Sequence, residues 1–332
     1  MKQGNRKKKK KLEVIKGILY IFVFLLITTP VLFFYGPYKN TRKVFISTLL
    51  GTRHRYLLTD LFSEEVLNRF QGIDGKVVDE EISQDLDMIN VKYRGSDEIK
   101  EFTINKPRYD AHIIEIKNPF AVKVAMTKYL GKRGQRTSEM AEENNAIVAI
   151  NGGSFVDNSA EGTLYAGTGA EPGGFVVAGG EVIYPKGGYD ENTIENVVGI
   201  SKDGKLVVGD HSLKELKSKY NIQEAMCFRR PNIIIDGVRK ISNPLEDGLN
   251  PRTAMGQKAD GTIIFLVIDG RKVSMPGASL YDVQEIMMER GAINAGALDG
   301  GYSSTLYYEG EVINSPNAWD GERTVATAFY VE

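Results

Sequence analysis

Asn294-Ala-Gly-Ala-Leu-Asp-Gly-Gly-Tyr-Ser-Ser-Thr305 joins a short apolar approach, one carboxylate, a glycine pair and three hydroxyls. Ala297 and Leu298 read as the end of a buried run. Gly300 and Gly301 allow positive φ and let a ligand come close to the backbone. Taken alone, Asp-Gly-Gly is ordinary turn chemistry. The pattern recurs, however, where other apolar runs stop: Ala146-Ile-Val-Ala-Ile150 meets Asn151-Gly152-Gly153-Ser154-Phe155, and Thr262-Ile-Ile-Phe-Leu-Val-Ile268 meets Asp269-Gly270-Arg271. Such strand ends present backbone groups and short side chains to a ligand, and several converging ends make a pocket. The expected fold class is therefore α+β, with a mixed, largely antiparallel curved sheet of short strands and a few packed helices.

Outward from these ends, the pattern of the body agrees. Ala111–Ile116 and Ala121–Met126 alternate as strands do, with Asn118-Pro119 as the turn between them. Ser138–Asn145, His211–Tyr220 and Tyr281–Arg290 have helical spacing, the last with Val283, Ile286 and Met287 on one face. The small, polar stretch from Asp157 to Gly174 reads as a functional loop. The 35 glycines favour many turns over a helical bundle, and 42% hydrophobic content supports a sizeable core. The single cysteine, Cys227, excludes an internal disulfide; flanked by Met226 and Phe228, it reads as a small buried hydrophobe.

The N-terminus sets the address. Lys2 to Lys11 holds seven basic side chains, and residues 17–38 are 22 consecutive uncharged residues. At roughly 1.5 Å per residue such a helix covers the hydrocarbon thickness of a bilayer. Thr29-Pro-Val-Leu-Phe-Phe-Tyr-Gly36 is too bulky for a signal-peptidase site, so the expected organisation is a basic cytoplasmic tail (1–16), a transmembrane signal anchor (17–38), a stalk (39–105) and an extracellular body (106–332). Beyond residue 43 the chain holds 31 basic against 42 acidic residues, a net charge of −11. An acidic body is a poor nucleic-acid binder, because that affinity comes from neutralising phosphates. A phosphorylated ligand must then be met by a few placed arginines.

Two arginines flank one apolar strand pair. Arg252 lies in Asn250-Pro-Arg-Thr-Ala-Met-Gly256, and Arg271 follows Val267-Ile-Asp-Gly270. The planar guanidinium fork matches phosphate or carboxylate bidentately. His54, His112 and His211 share no close spacing, which argues against a histidine zinc site. An oxygen-only set of Asp236, Asp269 and Asp299 at strand ends is an alternative that would suit calcium or magnesium; no cofactor is otherwise expected.

These motifs, with Glu322-Arg-Thr-Val-Ala326, resemble in order those of the phosphodiester glycosidase family, over roughly residues 110–332. The family's members include lysosomal and bacterial exopolysaccharide-associated proteins. The resemblance implies hydrolysis of a sugar-1-phosphodiester at its glycosidic bond. It implies Asp299 as nucleophile or general base, Asp269 as second carboxylate, and Arg252, Arg271 and Arg323 as a phosphate clamp. Gly300, Gly301, Ser303 and Ser304 would donate hydrogen bonds to the phosphate, while Asn151, Gly152 and Gly153 would hold the sugar. Tyr302 and Thr324 depart from the family pattern, which has a small residue and proline there. The alternative is a non-catalytic surface module that binds phosphorylated glycopolymer during export or attachment.

Overall fold

The computed structural model describes residues 2–38, 41–42, 45–46, 49, 56–71, 84–156, 169–229, 232–272, 274–316 and 321–332. The chain divides into two compact units, Met1–Val77 and Val78–Glu332. In the first, a helix runs from Lys2 to Tyr35 with Pro30 inside it. Its segment Glu13–Tyr35, 23 residues of mean hydropathy 2.4 with no buried side chains, is long and apolar enough to cross a membrane. Arg42 Nη1 donates to the carbonyls of Phe34 (2.7 Å) and Gly36 (3.2 Å), meeting acceptors that a helix end leaves without partners. Ser63 accepts from Val66 N at 3.4 Å at the start of the Glu64–Gln71 helix, the capping that its sequence predicts.

Among the described residues the second unit is built from three large antiparallel sheets and one two-stranded pair, Phe155–Val156 with Glu171–Pro172. The seven-stranded sheet has the order Ile99–Lys106, Tyr109–Ile116, Ile263–Ile268, Arg252–Lys258, Ala292–Leu298, Ile234–Ile235, Val238–Arg239. One five-stranded sheet centres on Ile222–Phe228 and Ile194–Ser201, and the other on Val148–Asn151 and Thr327–Val331. A single apolar cluster takes side chains from all three, including Phe265 and Val267, Val198 and Met226, and Ile150 and Phe329. Alternation along a strand sends Ile264, Leu266 and Ile268 to the opposite face, where Val283, Ile286 and Met287 of the helix Leu280–Glu289 cover them. This double burial explains why Ile263–Ile268 is uniformly apolar. The other sheets each carry one helix outside: Leu213–Ser218 packs through Leu213 and Leu216, and Thr137–Glu143 through Met140 and Ala141. Ser279 and Asp282 start the longest of these helices with a reciprocal capping box.

The sheet unit reaches further toward the N-terminus than residue 106. Ile99–Lys106 pairs along its whole length with Tyr109–Ile116 as the edge strand of the large sheet. Upstream, Gln84 donates to Leu206 O (2.8 Å) and accepts from Val208 N (3.0 Å), bridging a strand of the second sheet from the side. A chain beginning at residue 106 loses both, exposing an unpaired edge. Thermal melting followed by circular dichroism should place it well below a chain beginning at residue 78; equal melting temperatures would show that residues 78–105 add nothing to the sheets.

Candidate active site

The site lies at one end of the large sheet. Arg252 pairs with Ile268 on one side, and its neighbour Thr253 pairs with Leu298 on the other. Asp269 and Asp299 each follow the last residue of a strand flanking Arg252–Lys258. At about 4.8 Å per strand their backbones are two strands, on the order of 10 Å, apart.

Asn151 joins this edge to a second sheet. Its Nδ2 donates to Asp299 O (2.6 Å), and its Oδ1 accepts from Thr253 Oγ1 (2.7 Å) and Thr305 N (3.1 Å). The residue has no exposed surface. Gly152 O accepts from Asp299 N at 3.0 Å, and Gly152 N donates to Thr327 O at 2.8 Å. A Cβ on Gly152 would lie 2.6 Å from Met226 Sδ and overlap Thr327 Oγ1, while one on Gly153 would overlap the Cys227 carbonyl. Asn-Gly-Gly is thus the seam between sheets, and it fixes the backbone of Asp299 on both sides.

Beyond Asp299, Gly300 packs against Pro251 O, 2.8 Å from where its Cβ would stand, and Gly301 N donates to the same oxygen at 2.9 Å. Gly301 has φ +65° and lies so close to Arg271 that a Cβ would be 3.0 Å from Nη2. The hydroxyls of Ser303, Ser304 and Thr305 are buried without a well-formed hydrogen bond among the described residues. Buried hydroxyls without partners are costly unless something else satisfies them.

Asp299 is only partly exposed. Burial pushes its carboxyl above the ordinary range, against the pull of Ser303, Arg323, Arg229 and Arg271. Arg271, at φ +56°, donates from Nε (3.2 Å) and Nη2 (3.0 Å) to Asn250 Oδ1, and its guanidinium lies 4.4 Å from the Tyr302 ring centroid. Burial lowers its pKa, with Tyr302 and Asp299 opposing and Arg252 and Arg323 adding to the effect. Arg323 lies over Phe155 at 4.7 Å.

Arg252 differs from Arg271. Its Nη1 donates to Asp247 Oδ2 at 2.6 Å, Nε to Ala278 O at 2.9 Å, and Nη2 to the carbonyls of Asp247 and Gly248, both at 2.7 Å. Three of its five N–H groups are therefore taken by the loop that precedes it and a fourth by Ala278 O. Asp269 is similarly engaged: its Oδ1 accepts from Asn314 Nδ2 (2.9 Å) and Ser315 N (3.0 Å), and His112 Nε2 lies 3.6 Å from Oδ2. Burial pushes that carboxyl up, but His112, Asn314 and Ser315 outweigh it and hold it below the usual range. This carboxylate anchors the 314–315 segment.

Asp236 does not join the other two aspartates. Its backbone N–H donates to Asn294 Oδ1 at 2.8 Å, and its Oδ2 accepts from Asp85 N at 2.9 Å. Asn294 is five residues before Asp299, about 16 Å along an extended strand. The three-aspartate set is thus not assembled, and among the described residues no group of three His, Cys, Asp or Glu could hold a metal. His211, the penultimate residue of the strand Leu206–Ser212, hydrogen-bonds Glu215 Oε2 (3.1 Å) and Val208 O (3.3 Å), and Ser212 caps the helix that follows. Cys227 is buried, and burial pushes its thiol up. Residues 157–168, most of the expected functional loop, lie outside the described residues.

Arg229 and Asp247 lie outside the sequence motifs. Arg229 Nη2 is 3.1 Å from Asp247 Oδ2, the oxygen that Arg252 also contacts. The signal for Arg229 was its place after the apolar run Ala225-Met-Cys-Phe228, a strand end like the others. Among the described residues, Arg229, Arg252, Arg271 and Arg323 gather around Asp247 and Asp299. An environment of this kind favours an anionic ligand.

Comparison with known proteins places the chain in a family. The model of the phosphodiester glycosidase family matches residues 144–332. The N-acetylglucosamine-1-phosphodiester alpha-N-acetylglucosaminidase of Bos taurus is 27% identical over 222 residues, covering 60% of this chain and 39% of its own length. An SPbeta prophage-derived uncharacterised protein of Bacillus subtilis (strain 168) is 41% identical over 83 residues, covering 25% of this chain and 13% of its own. The chain thus spans well under half of these relatives. In fold, it is similar to the auto-inhibited catalytic domain of the zebrafish N-acetylglucosamine-1-phosphodiester alpha-N-acetylglucosaminidase (TM-score 0.60, 20% identity, 74% of this chain and 86% of that one). The family match spans more than half of the sequence, and its segment contains Asn151, Arg252, Asp269, Asp299 and Arg323: the chain belongs to the phosphodiester glycosidase family.

Proposed function

We propose that the chain is a membrane-anchored extracellular hydrolase that cleaves the C1–O bond of a sugar-1-phosphodiester in cell-envelope or exopolysaccharide metabolism. The observation that carries this reading is one recessed carboxylate, Asp299, beside buried hydroxyls, of which those of Ser304 and Thr305 have no partner among the described residues, and several arginines. A phosphodiester carries one negative charge, and breaking C1–O leaves a phosphomonoester that gains a second. Arg271 and Arg323 near that oxygen stabilise the developing charge more than the ground state, which is the condition for catalysis. Because phosphate leaves readily, one carboxylate suffices where glycosidases ordinarily use two. Asp299 either attacks C1 or takes a proton from the water that does. These routes give opposite anomers, which proton NMR of freshly released sugar distinguishes.

Asn151, Gly152 and Gly153 support this reading as the frame that positions Asp299. Arg252 supports it as the brace of the 247–250 loop, and Asp269 as the anchor of residues 314–315. Incubating the full-length protein in detergent with UDP-N-acetylglucosamine tests the reading. Release of reducing sugar is the expected result; saturable binding without release would favour a non-catalytic binding module. Arg271→Ala should reduce kcat/KM roughly 100-fold, the scale seen when one donor to a developing anion is removed. Unchanged kinetics would remove Arg271 from the clamp.

A further inference from the structure

Arg229 reaches the site from a different sheet than Arg271. It follows Ile222–Phe228, and Cys227 O accepts from Ser154 N at 2.9 Å, so this strand end touches the turn whose Gly152 holds Asp299. Gly153 is pressed against that same carbonyl. Asp247 Oδ2 takes one Nη2 hydrogen of Arg229 at 3.1 Å; among the described residues no other acceptor takes its remaining N–H groups. Asp247 is itself held by the buried Arg252 and sits at φ +57°, a conformation that aspartate tolerates at some cost. Burial pushes its carboxyl up, and Arg252 with Arg229 brings it below the ordinary range, so it remains ionised near neutral pH.

We propose that Arg229 is a further phosphate-binding residue of this site, aimed by the Arg252–Asp247 pair and contacting the leaving phosphate as its second charge forms. This inference rests on the phosphodiester reading above. Arg229 is an exposed side chain; the buried pair gives it a partner on one edge of its fork and leaves the other edge open to a ligand. Such an arrangement also explains a strained aspartate that touches no substrate. Its negative charge is matched by Arg252, and the charge of Arg229 is left for the phosphate.

The test is calorimetric titration of the full-length protein in detergent with inorganic phosphate, alongside kinetics on UDP-N-acetylglucosamine. Arg229→Ala should weaken phosphate binding and lower kcat/KM roughly 10- to 100-fold, the worth of a hydrogen bond to a charged group, with a melting temperature near that of the wild type. Arg229→Lys, which keeps the charge and guards against a folding loss, should fall between the two. Arg239→Ala removes the same charge from the Glu285 pair elsewhere on the large sheet and should leave phosphate binding unchanged. Wild-type phosphate affinity and wild-type kinetics in Arg229→Ala would overturn this inference while leaving the function standing. A wild type that binds phosphate through Arg229 but releases no sugar would overturn the function alone, and one that does neither would overturn both.

Discussion

Asp299→Asn is expected to lower kcat at least about 1,000-fold while the protein folds and binds substrate, because asparagine keeps the shape of the side chain and removes both basicity and nucleophilicity. Binding should persist, since phosphate affinity is assigned to the arginines. The acid limb of the wild-type profile should reflect the same carboxyl. Its pKa lies above the ordinary carboxylate value, so kcat/KM should begin to fall at a higher pH than for an exposed aspartate. Stability should move the opposite way from activity. A carboxyl whose native pKa is raised contributes stability that is fully present below its unfolded value, about 3.9, and lost as pH rises through the native one. Raising the pH toward 7 therefore costs the wild type stability that Asp299→Asn does not lose. The variant should therefore melt above the wild type at pH 7, and the difference should close below about pH 4. Retained turnover, or a variant less stable than the wild type at pH 7, would remove Asp299 from the chemistry.

How much of this was legible in the sequence differs by residue. The convergence of Asn151, Asp269 and Asp299 was visible because each ends an apolar run that only a buried strand explains. The role of Asn151 was not. Whether an amide faces a sugar or ties Thr253, Asp299 and Thr305 together depends on three partners distant in the chain. Arg252 and Arg271 look equivalent in sequence, since each borders the same strand pair. They separate only once the loop before Arg252 supplies the Asp247 carboxylate and two carbonyls, with a third carbonyl from Ala278, while Arg271 meets Asn250 and Tyr302. The edge strand Ile99–Lys106 escaped notice because no residue in it is buried, so its polar face reads like a linker. The long apolar helix near the N-terminus was the easiest element, because its signal is local: 23 residues of high hydropathy.

The frame around Asp299 gives the second large effect. Asn151→Ala removes three hydrogen bonds at a site with no exposed surface. Thr253 Oγ1, Thr305 N and Asp299 O then face a small cavity. Each buried polar group left without a partner costs about 1–3 kcal/mol, so relaxation and an entering water leave an expected loss of roughly 3–5 kcal/mol. For a unit of this size about 2–4 °C accompanies each kcal/mol, and the melting temperature should drop by about 10 °C. Activity should fall as well, through a different parameter from Arg271→Ala. The Asp299 backbone is held by Asn151 Nδ2 at its carbonyl and by Gly152 O at its N–H, so losing one restraint shifts the carboxyl without changing the phosphate contacts. The expected signature is lower kcat with KM nearly unchanged in whatever fraction remains folded, because a displacement of about 1 Å can cost roughly 100-fold. If Asn151 instead held the sugar, the variant would keep its melting temperature and lose affinity for the sugar. Thermal melting combined with separate kcat and KM values therefore decides between a residue that builds the site and one that fills it.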